Sequence, residues 1–226
     1  AAVMALRKKA LDAAILSNRR VGTEIYRLEI NCPFLAQEGV PGQFIQVRID
    51  GMGLLLRRPL GIAEAYSATG TVAMYYRIVG KGTAALAEMK PGQTVNCLGP
   101  LGKGFSLQAE RPLLIGGGMG IAPLLFLAQR FQGKAAVLMG GRNKAEVFWS
   151  DFFAPAAKEV FITTDDGSAG EKGFTTALLP TLLEKYRFDV LFTCGPDIMM
   201  RKIWEIADKA DVPCQVSLER HMACGL

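Results

Sequence analysis

Apolar positions in the first half of the chain fall in runs of strand length. IYRLEI (25–30) and QFIQVRI (43–49) alternate or run apolar, and the Pro41-Gly42 turn signal separates them. TVAMYYRIV (71–79) and QTVNCL (93–98) repeat the pattern, with KPGQ as the turn between and GTAALAEM as one short helix ahead of it. Strands at this spacing, from Ala13 to about Arg111, predict a small antiparallel β-barrel.

After Pro112 the rhythm changes. The apolar runs PLLIGG, AAVLMGG, EVFITTDD and FDVLFTCG alternate with helix-like stretches at 121–131, 145–153, 174–186 and 197–210. These runs end in Gly, Asp or Thr before a helix, which is the βαβ pattern of a doubly wound parallel sheet with ligands at the carboxyl ends of its strands. The boundary falls near Gln108–Arg111, so the chain reads as two domains, 1–110 and 111–226.

Composition narrows the function classes. Half of the 226 residues are hydrophobic, enough for a real core. The net charge of +5 is spread among interspersed acids and bases, with no basic run interleaved with aromatics, which argues against nucleic acid. No stretch reaches the ~18 uninterrupted apolar residues of a membrane span. The best candidate, 113–127, is broken by four glycines and Pro123. The first residues lack a sustained apolar signal segment, so a cytoplasmic location is expected. The missing initiator Met predicts a trimmed start or numbering that begins inside a longer chain. Five cysteines, at 32, 97, 194, 214 and 224, form no C-x-x-C pair and no zinc-ligand spacing.

Five segments carry candidate chemistry. LLIGGGMGIAPLLF (113–126) puts Gly116, Gly117, Gly118, Met119 and Gly120 between a strand and a helix, where free N–H groups favour a phosphate. It departs from G-x-G-x-x-G, no acidic residue follows at the usual distance, and a merely tight strand-to-helix turn is the competing reading. RRPLGI (57–62) offers Arg58 beside a proline-fixed turn as a phosphate fork, or as an ordinary surface arginine. YYRIVGKGT (75–83) adds Arg77 and a Gly-Lys-Gly-Thr segment whose amides suit an anion or a flexible turn. TTDDGSAGEKGF (163–174) is a polar loop at a strand end, and TCGPDIMM (193–200) sets Cys194 against a Gly-Pro turn. The lone His221 is far along the chain, which leaves Cys194 without a triad and rules out acyl transfer.

The ordered set RPLGI, YRIVGKGT, GPLGKGF, GGGMGIAPL and CGPDIMM resembles the ferredoxin–NADP reductase superfamily over nearly the whole chain. The ending SLERHMACGL is similar to the electron-transfer subunits of type B dihydroorotate dehydrogenase, in which it opens a cysteine-rich tail for a [2Fe–2S] cluster. The resemblance implies an FAD-binding barrel followed by an NAD-binding α/β domain. Arg58, Pro59, Leu60 and Gly61 would line the flavin and its diphosphate. Tyr75, Tyr76 and Arg77 would contact FAD, and Gly82 with Thr83 would hold phosphate through backbone and hydroxyl. Gly116 to Gly120 would face the NAD diphosphate. Thr163, Asp165 and Cys194, Gly195 and Pro196 would surround the nicotinamide, with Cys194 near the transferring carbon. Glu219 would approach the flavin ring as a second catalytic candidate, and Cys224 would be the first cluster ligand.

NADH would pass a hydride to flavin N5 in the cleft between the domains. Electrons would travel onward through the cluster to or from an FMN-containing dihydroorotate dehydrogenase subunit, in a heterotetramer serving pyrimidine biosynthesis. Gly61 departs from the family, which has Ser or Thr there, and leaves the bond to flavin N5 to its own N–H or to water. A [2Fe–2S] site takes four thiolates, and the segment ending at Leu226 supplies one candidate, so the cluster is expected of a longer protein. The resemblance leaves two alternatives open: the small flavin subunit of a sulfide dehydrogenase or transhydrogenase, and a redox-inactive nucleotide-binding subunit.

Overall fold

The computed structural model describes residues 8–49 and 56–218. Its contacts divide it into two compact units, one running to Gly104 and the other spanning Phe105–Arg220.

The first unit is a closed barrel of six antiparallel strands in the order β1-β2-β5-β4-β3-β6. These are β1 (Lys9–Gly22), β2 (Ile25–Asn31), β3 (Phe44–Arg48), β4 (Arg58–Tyr66), β5 (Thr71–Arg77) and β6 (Thr94–Leu101). One long strand closes it. The first half of β1, Lys9–Ala14, pairs with β6, and the second half, from Ala14 to Gly22, pairs with β2. A register irregularity between Ile15 and Ser17 marks the change of partner, the kind of bend that closing a sheet requires. Leu28, Ile30, Ile45, Val47, Ile62, Val72 and Met74 are fully buried. Two short helices complete the unit, α1 (Pro33–Glu38), which begins on a proline, and α2 (Lys81–Glu88).

The second unit is a six-stranded parallel sheet in the order β10-β9-β8-β7-β11-β12. Its strands are β7 (Pro112–Gly117), β8 (Ala136–Gly141), β9 (Glu159–Thr164), β10 (Glu171–Lys172), β11 (Val190–Cys194) and β12 (Cys214–Ser217). The helices are α3 (Ala122–Phe131), α4 (Ser150–Phe153), α5 (Thr175–Lys185) and α6 (Asp197–Lys209). The unbroken apolar run of β7 reflects its central place: every residue of it is buried. Leu113, Ile115, Leu138 and Leu191 of the sheet pack with Leu179 and Leu182 of α5 and Ile203 of α6. The strand order reverses between β7 and β11, so the ligand crevice of such a sheet belongs at their carboxyl ends.

Two expectations change. The helix predicted at 145–153 is instead a 3-10 turn at Lys144–Glu146 and the one-turn α4. Trp149 and Phe153 are both buried there, and Phe148 stacks on Trp149 at 4.6 Å between ring centroids. Packing of these bulky rings sets that segment's path, and their helical spacing misleads. The turn predicted around Arg58 and Pro59 is the start of strand β4.

Candidate functional site

The proline in β4 identifies an opening in the barrel. Arg58, Pro59, Leu60 and Gly61 pair with Val47, Gln46, Ile45 and Phe44 of β3, but pairing of β4 with β5 begins only at Ile62 opposite Met74. Tyr75, Tyr76 and Arg77 of β5 pair with β2 alone. The two strands therefore part beyond Ile62–Met74, and the residues singled out for the flavin, Arg58–Gly61 and Tyr75–Arg77, border that parting. The Ile62 N–H donates to the Gln43 carbonyl of the turn before β3 at 3.0 Å. N–H directions alternate along a strand, so the Gly61 N–H points away from β3, to the side β5 has left. Pro59 sits in the same phase, where its missing N–H costs no ladder bond.

Arg58 reaches the start of α2. A Cβ built on Gly82 would lie 2.3 Å from the Arg58 Nε and 2.8 Å from its Cζ, so glycine is what admits the guanidinium there. The guanidinium also donates to the Leu56 carbonyl at 2.5 Å. The first-turn N–H groups of Lys81, Gly82 and Thr83 have no carbonyl one turn back to receive them. An arginine and a helix N-terminus thus converge on one spot, a donor set that fits a diphosphate. The Thr83 hydroxyl is engaged in the turn itself. It accepts from the N–H groups of Val79 and Gly80, at 2.9 and 3.3 Å, and donates to the Gly80 carbonyl at 3.1 Å. What Thr83 offers a phosphate is its backbone N–H.

The two tyrosines are built into the barrel. Tyr75 donates to Glu64 Oε1 at 2.7 Å, and Tyr76 donates to Asn18 Oδ1 at 2.9 Å and stacks on Tyr26. Asn18 in turn donates to the carbonyls of Leu86 and Met89, closing the carboxyl end of α2. Glu64 is 5% exposed and accepts four bonds, two from Arg27 at 2.8 and 3.0 Å and one each from Tyr66 and Tyr75. Burial alone would raise its pKa, but bonding to Arg27 and both tyrosines outweighs that and holds it below the usual value. The same burial and the Glu64 charge push the Tyr75 hydroxyl well above its usual range. Sequence reading missed Arg27, Glu64 and Asn18, because residues on three different strands share no linear spacing.

In the second unit the glycines serve close approach. A Cβ on Gly120 would sit 2.4 Å from the Gly195 Cα, and one on Gly116 would sit 2.9 Å from the Ile121 Cα. Gly195, at φ +151, is itself hemmed by Met199 and the Gly117 backbone. The turn after β7 (Gly118–Ile121) and the turn after β11 (Cys194–Pro196) therefore touch at the strand-order switch. Gly118, at φ +58, has open space around its missing Cβ. Cys194 ends β11 and is buried.

Thr163 and Asp165 lie elsewhere. They stand at the end of β9, which β8 and β7 separate from β11. Three inter-strand spacings amount to about 14 Å, too far for Thr163, Asp165 and Cys194 to surround one nicotinamide ring. The Thr163 hydroxyl is buried without a hydrogen-bond partner, and beside it the ends of β8 and β9 are knit together. The Asp165 N–H donates to the Gly141 carbonyl and the Asp166 N–H to the Arg142 carbonyl, at 3.1 and 3.2 Å. Glu146 folds back from its 3-10 turn to accept from the Arg142 backbone N–H at 2.9 Å and from Arg142 Nε at 2.6 Å. That pairing, with Asp165 nearby, raises the Arg142 pKa.

Glu219 and Cys224 lie outside the described residues. Among the described residues no His, Cys, Asp or Glu group could hold a metal, and Cys32, Cys97, Cys194 and Cys214 are unbridged thiols. Burial pushes the Cys97 thiol up to about 12 and Cys214 up to about 11, the reverse of what a thiolate ligand needs. The described residues do not fit an iron–sulfur cluster. No helix among them is long and apolar enough to cross a membrane.

Comparison with known proteins identifies the family. Residues 13–105 match the family model of the oxidoreductase FAD-binding domain. The chain is 39% identical, over 96% of its length and 86% of the relative's, to the dihydroorotate dehydrogenase B (NAD(+)) electron transfer subunit of Desulforamulus reducens. It is 35% identical to the subunit of the same name from Fusobacterium nucleatum, again over 96% of this chain and 86% of that one. Among solved structures, an NADH-dependent reduced ferredoxin-NADP oxidoreductase aligns with TM-score 0.83 and 30% identity, over 94% of this chain and 78% of the other. A ferredoxin NADP+ reductase from Neisseria gonorrhoeae, at 18% identity and TM-score 0.71 over 93% and 99% of the two chains, shares the fold. With a redox barrel of this kind and relatives this close along nearly its whole length, the chain belongs to the family of electron transfer subunits of dihydroorotate dehydrogenase B.

Proposed function

We propose that the barrel holds FAD by its diphosphate, that the α/β unit takes NAD(H), and that the chain relays electrons to or from a dihydroorotate-oxidising partner subunit in pyrimidine biosynthesis. The observation that carries this reading is the Arg58 guanidinium lodged against Gly82 at the start of α2, beside the barrel's parting. Arg58 and the N–H groups of Lys81, Gly82 and Thr83 bind the diphosphate. Leu60 and Gly61 flank the ring, and the outward Gly61 N–H donates to it in place of a hydroxyl. Bound FAD supplies the exchange between two-electron and one-electron transfer. The touching turns after β7 and β11 seat the nicotinamide half of NAD(H), with Cys194 and Pro196 beside it, and the ends of β8 and β9 take the adenosine half. Cys224, with three thiolates supplied from elsewhere, is the proposed first ligand of a [2Fe–2S] relay.

The purified chain should be yellow, and NADH should bleach its visible flavin absorbance under anaerobic conditions. With the catalytic subunit added, dihydroorotate should reduce NAD+. A colourless chain that rejects added FAD contradicts the flavin assignment. A yellow chain without dihydroorotate-linked activity contradicts the partner, and favours a subunit like the NADH-dependent ferredoxin-NADP oxidoreductase of similar structure.

A further inference from the structure

The start of β4 carries a clamp that bears on Arg58, an inference that rests on the diphosphate reading above. A strand inside a sheet is held from both sides, whereas Arg58–Gly61 has β3 alone, because β5 joins only at Ile62. The arginine proposed to meet the diphosphate therefore stands on a stretch supported along one edge. Its side chain is long and flexible, so the direction of the backbone that carries it decides where the guanidinium arrives.

Arg57 supplies support from another direction. It stands one residue before β4, and its Nη1 donates to the carbonyls of Gln46 on β3 and Asn96 on β6, at 3.3 and 3.2 Å. Its Nη2 donates to Asn96 Oδ1 at 2.6 Å. The Asn96 amide is oriented in turn, since its Nδ2 donates to Asp12 Oδ1 on β1 at 2.6 Å. Asp12 and Asn96 are paired across β1 and β6, and Asp12 is exposed, so the clamp lies on the barrel's outer face. Arg58 is instead paired with Val47, which is fully buried, and its guanidinium reaches Gly82. Neighbouring side chains of an extended chain point to opposite sides, so fixing Arg57 on the outer face sends Arg58 the other way, toward α2. Pro59 favours extended backbone at Arg58. The Leu56 carbonyl, on the far side of Arg57, receives the Arg58 Nη1 at 2.5 Å.

We infer that Arg57 is a positioning residue of the diphosphate site: its bonds to Gln46 and Asn96 hold the start of β4 so that Arg58 is aimed at α2, and it acts through Arg58 rather than on the cofactor. The test is a double-mutant cycle on FAD affinity, read by titrating the FAD-free chain and following flavin fluorescence. Arg57→Ala should weaken FAD binding about threefold to tenfold in the unaltered chain, and by less than about twofold once Arg58 is alanine. Arg57→Lys keeps the charge and loses the planar fork, so most of the weakening should remain. Asn96→Ala removes the shortest bond and leaves the arginine in place. It should act in the same direction by a smaller factor, again only while Arg58 is present, and it serves where an Arg57 variant fails to fold. Unchanged affinity in Arg57→Ala, an equal loss with and without Arg58, or full recovery in Arg57→Lys overturns the inference and leaves the diphosphate site standing. Unchanged affinity in Arg58→Ala overturns both.

Discussion

Two glycine-bearing turns, one in each unit, look alike in sequence and differ in what fills the space that glycine leaves. At Gly82 the neighbour is the Arg58 guanidinium, and at Gly120 it is the backbone of Gly195. The first glycine makes room for a charge, the second for the protein's own main chain. An anion site built the first way depends on one flexible cation, so a small intrusion displaces that cation and spares the fold. A site built the second way depends on two turns touching, and an intrusion there strains the fold itself. Glycine enrichment signals a close approach, and only the neighbour's identity says whether chemistry or packing requires it.

The largest expected effect concerns charge in the first unit. Glu64→Gln removes the buried carboxylate that Arg27 shares with two tyrosines, leaves Arg27 only its pair with Glu29, and should destabilise the barrel by up to about 3–5 kcal/mol, read by denaturant unfolding followed through far-UV circular dichroism. The pH dependence follows from the depressed Glu64 pKa. Its stabilising contribution is present above the unfolded value of about 4.5 and is lost as pH falls through the lower folded value. The barrel should therefore weaken in acid, and Glu64→Gln should remove that slope. Equal acid sensitivity in the variant contradicts the assignment.

Gly120→Ala comes next. Its Cβ meets backbone that cannot rotate away, so it should cost about 1–3 kcal/mol or more. Both tryptophans, Trp149 and Trp204, lie in the second unit, so their fluorescence reports that unit by itself. Gly118→Ala should cost least, about 1–2 kcal/mol, because only its left-handed φ of +58 opposes a side chain and the space around it is open. Equal losses at the two positions would erase the distinction between packing and backbone conformation in this turn.

The fold class was legible because both units keep one rhythm: short strands with Pro-Gly turns in the barrel, and apolar strands ending in Gly, Asp or Thr in the sheet. Strand β12 was harder to find, since Cys214–Ser217 is half-buried at the edge and carries no apolar run. Of the proposed site, the segments that the sequence singles out are contiguous, namely Arg58–Gly61, the Lys81–Thr83 turn and Gly116–Gly120. What stayed hidden depends on residues brought together from different places. Glu146 reaches Arg142 because its 3-10 turn carries it back to the end of β8. Thr163, Asp165 and Cys194 all end strands, yet the strand order that separates them is not written in local pattern.

The central claim is that Arg58, admitted by Gly82, grips the diphosphate of FAD. Its most direct test is the FAD dissociation constant of the chain, of Arg58→Ala and of Gly82→Ala, measured beside the melting temperature of each FAD-free form. Loss of one charged hydrogen bond corresponds to about 1.5–3 kcal/mol, roughly a tenfold to hundredfold weaker affinity. The account predicts that weakening in both variants with the FAD-free melting temperatures little changed; wild-type affinity in both would contradict it.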